Sequence, residues 1–81
     1  MKILSERLLH TILRALLLTS LIEECLESGD FQTANFLCKS TMPYWCNIPK
    51  RKRMKLSGEF SRGYEYLLNW QVLENLKSPS A

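Results

Sequence analysis

The densest chemical signal in the chain is Lys50-Arg51-Lys52-Arg53-Met54-Lys55, five cations in six residues directly after Pro49. Like charges at this density repel one another and stay solvated. The run therefore reads as an exposed loop with three uses: solubility, an extended nuclear-import signal, or a contact to the phosphates of nucleic acid or anionic lipid. Tyr44 and Trp45 stand just upstream. Aromatic rings beside cations are how single-stranded nucleic acid is held, with bases stacked on the rings and phosphates neutralised by Lys or Arg. The other reading of Trp45, favoured by the burial habits of tryptophan, is a plug in a small helical core. Trp70 reads the same way.

Catalytic patterns are missing. Gly58 and Gly63 repeat the glycine spacing of a phosphate-binding loop, but Tyr64-Glu65 follow where that loop needs Lys and Ser or Thr. His10 has no nucleophile at a useful spacing. Glu23 and Glu24 are adjacent, so on a helix they point about 100° apart and read as a solvated helix end, not as a paired acid and base. Cys25, Cys38, Cys46 and His10 add up to a Cys3His zinc set, yet no C-x-x-C spacing occurs. The cysteines read instead as small buried apolar side chains. Their odd number prevents complete internal pairing and points to a reducing compartment. No catalytic, cofactor-binding or metal-binding residue is expected.

Helices must position what remains. The chain has 81 residues, 46% apolar and 23% charged, with a net charge of +3. That is the balance of one small globular domain rather than a disordered segment. Ser5 is a candidate N-cap for a first helix over 5–28, in which Leu8, Ile12, Ala15, Leu16, Thr19, Ile22 and Leu26 share one broad face. Leu13, Leu17 and Leu21 fall among the polar residues on the other side. Gly29 suits the left-handed position that ends a helix, and Asp30 can cap a second helix over 30–41, paired with the first as a hairpin. Pro43 bounds that second helix. The spacing predicts a long basic loop over 43–58, a third helix over 59–77 and a frayed tail at 78–81. The expected fold is all-α: a helical hairpin plus a third helix.

Residues 8–22 are apolar but carry Arg14 at their centre and fall short of the roughly 20 residues a bilayer crossing requires. Arg14 and Glu23-Glu24 also argue against a secretory signal. A mitochondrial presequence, supported by Lys2, Arg7 and Arg14, is the weaker alternative to a cytoplasmic protein with nuclear access.

Residues 24–37 read E-C-L-E-S-G-D-F-Q-T-A-N-F-L. This segment resembles a helical region of the set-binding-factor, or DENN-associated, trafficking proteins, where a long apolar helix ends in acids and Asp-Phe, Ala and Leu follow. Asp30, Phe31, Ala34 and Leu37 occupy those places. The resemblance covers about half the chain, and the basic run and early C-terminus depart from it. It implies a scaffold or regulator near membrane-traffic GTPases and carries over no catalytic residue.

Two functional classes follow. The first is a protein-interaction module that binds a partner, or itself, through Leu13, Leu17 and Leu21, unless the third helix covers those leucines. The second is nucleic-acid or anionic-lipid binding through the basic run, with Tyr44 and Trp45 assisting in the nucleic-acid case.

Overall fold

The computed structural model describes residues 6–77 and is all-α. α1 spans Glu6–Ser28, α2 Phe31–Cys46, α3 Lys50–Ser57 and α4 Ser61–Lys77, with a single 3-10 turn at Gly58–Phe60 leading into α4. Ser5 and the tail at 78–81 lie outside the described residues.

The α1–α2 turn is two residues long because its backbone bonds are complete. Gly29 takes φ +80°, the left-handed conformation that side chains with a Cβ rarely adopt. The Asp30 N–H then reaches back to the Cys25 carbonyl at 2.9 Å, which closes the end of α1. Asp30 caps α2 by accepting from the Thr33 N–H at 3.2 Å. Hydrogen bonding from the Thr33 side chain, and then from its backbone N–H, holds the Asp30 carboxyl below the usual carboxylate range.

α2 does not end at Pro43. It continues to Cys46 with the proline inside it. An internal proline costs about 3 kcal/mol, but the extra turn carries Trp45 into the core, where it is 1% exposed. Burying an aromatic ring of 150–250 Å² returns about 4–6 kcal/mol. The ring wins.

The predicted loop over 43–58 is also corrected. Its second half is α3, and α4 proper begins at Ser61 rather than 59. Pro49 fixes an extended entry (φ −54°, ψ 143°), and Lys, Arg, Met and Leu are all good helix formers. Like-charge pairs three and four apart oppose the helix by only about 0.2–0.5 kcal/mol each. Tertiary anchors outweigh them. Ile48, just ahead of α3, is buried, and Arg53 Nη1 donates to the Trp45 carbonyl at 3.3 Å. That places a cation at the C-terminus of α2, where the helix dipole favours one.

The core is built from Ile12, Ala15, Thr19 and Ile22 of α1, Ala34, Cys38, Thr41 and Trp45 of α2, Ile48, and Gly63 and Leu67 of α4. Thr19 joins three helices. Its hydroxyl donates to the Ala15 carbonyl at 2.7 Å and accepts from the Trp45 indole N–H at 2.8 Å. The Trp45 ring in turn meets Tyr64 of α4 edge-on, centroids 4.9 Å apart. Glu23 is not merely part of a solvated helix end: its carboxylate accepts from the Gly63 N–H at 2.9 Å, capping the start of α4. At Gly63, α4 lies so close to α1 that a Cβ there would meet Thr19 and Glu23 within 3 Å.

Candidate functional site

The three leucines singled out on α1 are exposed. Leu13 is 55% exposed, Leu17 61% and Leu21 38%, and Leu9 extends the row at 45%. Residues four apart on a helix stack along one ridge, and this ridge lies opposite the side carrying Ile12, Ala15, Thr19 and Ile22. The exposure of all four leucines shows that no other described element is layered over the ridge. α4 does not cover it.

A second outward row was not legible as such. Leu68, Val72 and Leu76 on α4 also recur every four residues and are exposed, as is Leu73. The spacing was present in the sequence. The missing information was that α4 contributes only Gly63 and Leu67 to the buried core, which leaves Leu68, Val72, Leu73 and Leu76 exposed.

Trp45 and Tyr44 do not form a stacking platform with the basic run. Trp45 is buried and hydrogen-bonded inside the core, and Tyr44 is half-buried against that core. Of the cations, Arg53 is engaged at the end of α2. Lys50, Arg51 and Lys55 point outward and Lys52 is half-buried. None of these four makes an ion pair among the described residues, where the pairs are Arg62–Glu27 and Lys77–Glu74. The import reading assumed an extended run, whereas these cations are distributed around a helix.

The metal-ligating and nucleophilic side chains of the described residues are not clustered. Among the described residues no cluster of His, Cys, Asp and Glu could hold a metal. Cys38 is buried, Cys25 half-buried and Cys46 exposed, all as free thiols. Burial pushes the Cys38 thiol up to about 12, so it stays protonated and inert near neutral pH. Brief alkylation of the native protein at pH 8, read by mass spectrometry, is expected to label Cys46 first and Cys38 only after unfolding. Equal labelling of the two in the native state would contradict the buried placement. A groove between α2 and α4 is lined by Asn35, Tyr66, Asn69, Trp70 and Leu73, and the Tyr66 hydroxyl donates to Asn35 Oδ1 across it. Glu74 and Lys77 also line this groove and pair with each other at 3.4 Å.

No protein-family model, curated protein or solved structure matches this chain. No helix among the described residues is long and apolar enough to cross a membrane.

Proposed function

We propose that this chain is a non-catalytic protein-interaction module whose binding surface is the outward ridge of α1. The observation that carries the reading is the exposure of Leu9, Leu13, Leu17 and Leu21 in one continuous row. Scattered exposed leucines are ordinary, but a contiguous apolar patch on a small domain is what a partner covers. The partner's helix or groove would take leucines at four-residue intervals as anchors. A scaffold or regulatory role beside membrane-traffic GTPases, which the resemblance of residues 24–37 implies, belongs to the same proposal. The competing nucleic-acid reading loses the stacking ring it relied on, because Trp45 is occupied in the core.

The test is affinity capture with the wild-type chain and with Leu17→Glu, followed by mass spectrometry. Leu17 is 61% exposed and is not part of the buried core, so the variant is expected to keep its helical circular dichroism and thermal midpoint. Partners captured by the wild type should be lost with Leu17→Glu. Identical capture by both proteins would remove the proposal.

A further inference from the structure

From Phe31 to Gly58 the chain contains Lys39, Lys50, Arg51, Lys52, Arg53 and Lys55 and no Asp or Glu. α3 sorts its share of these cations by side. At 100° per residue, Lys52, Arg53, Leu56 and Ser57 occupy one half of the helix, and all four are half-buried. Lys50, Arg51, Met54 and Lys55 occupy the other half, and all four are exposed. Met54 sits among the three outward cations and is 66% exposed. The orientation is fixed from within: Ile48 is seated in the core immediately before the helix, and Arg53 is bonded to the Trp45 carbonyl. The nearest acid along the chain is Glu59, four residues past Lys55.

We propose that this outward face of α3 docks on an anionic lipid bilayer, with Lys50, Arg51 and Lys55 at the headgroup phosphates and Met54 entering the boundary between headgroups and acyl chains. Charge complementarity alone would serve any polyanion. Met54 decides between them. An exposed, flexible apolar side chain ringed by cations has nothing to gain beside a phosphate backbone, but gains burial at a membrane interface. Single-stranded nucleic acid would instead require exposed aromatic rings. With only two helical turns and one apolar side chain, attachment is reversible and salt-sensitive. The inference is independent of the α1 ridge, which lies on another helix.

The experiment is co-sedimentation of the full chain with vesicles of phosphatidylcholine alone, or with one-third phosphatidylserine. Each surface cation contributes about fivefold (about 1 kcal/mol) in attraction to an anionic leaflet, so three give about 100-fold stronger partitioning into the phosphatidylserine vesicles. The double substitution Lys50→Glu/Arg51→Glu should abolish that preference, and raising the salt should weaken it. Met54→Ser should lower vesicle binding several-fold while leaving binding to an oligothymidine strand unchanged. Equal partitioning into both vesicle types overturns the proposal. So does vesicle binding that is indifferent to Met54→Ser, because the face would then be a general polyanion contact.

Discussion

Replacing Trp45 by alanine is expected to remove about 3–5 kcal/mol of stability, the cost of deleting a buried tryptophan and leaving its cavity. A domain of this length has about 4–12 kcal/mol in total, so the variant should be largely unfolded at modest urea or temperature. The effect is large because Trp45 packs against Tyr64 of α4 and bonds to Thr19 of α1. One substitution disconnects three helices. Two milder variants separate packing from hydrogen bonding. Thr19→Val keeps the shape but strands the indole N–H in the core, which should cost about 1–3 kcal/mol. In the double variant Thr19→Val/Trp45→Phe that stranded donor is gone, so the loss should be smaller than the sum of the two single losses. Urea denaturation followed by circular dichroism measures all four: Trp45→Ala, Thr19→Val, Trp45→Phe and the double variant. If Trp45→Ala shifted the midpoint no more than an exposed substitution does, the three-helix junction would be wrong.

Glycine replacement gives the second large effect, and its sign should depend on position. A Cβ at Gly63 would lie 2.8 Å from the Thr19 carbonyl oxygen and 2.8 Å from Glu23 Cγ. The Glu23 side chain can swing away, but the Thr19 carbonyl belongs to the backbone of α1 and cannot. Gly63→Ala should therefore push α4 off α1 and cost about 1–3 kcal/mol in overpacking. This outweighs the gain of about 0.5–1 kcal/mol that alanine normally brings to a helix. The displacement would also lengthen the bond from the Gly63 N–H to Glu23, which caps α4. Gly58 is the control. It has ordinary helical angles, φ −67° and ψ −22°, and an added Cβ would meet nothing within 4 Å. Gly58→Ala should stabilise by about 0.4–1 kcal/mol through the unfolded state. Opposite shifts in urea midpoint for the two alanines would support the packing of α4 on α1. Shifts of the same sign would contradict it.

These two sites mark where sequence reasoning stopped. Gly63 reads in the sequence only as a weak spot in a helix, since a glycine's packing role depends on a neighbour forty residues away. Trp45 admitted two readings, core plug or stacking platform, and its hydrogen bond to Thr19 chose between them. The cations of α3 read as a loop from local repulsion alone, because the anchors at Ile48 and Arg53 are tertiary. Pro43 looked like a boundary because its local cost is plain and the burial of Trp45 beyond it is not.

The all-α class, the amphipathic period of α1, the Gly29-Asp30 turn and the leucine row at 13, 17 and 21 are legible in the residues alone. All of these follow from interactions within a few residues: backbone hydrogen bonds, left-handed glycine and side-chain spacing on one helix. That the row stays uncovered, that α2 runs through its proline, and that the basic run is a helix with a sorted outward face emerge only once the helices pack. Each of those outcomes is a competition between a local cost of a few kcal/mol and burial supplied by residues distant in the chain. Local patterns give the first quantity, and packing alone gives the second.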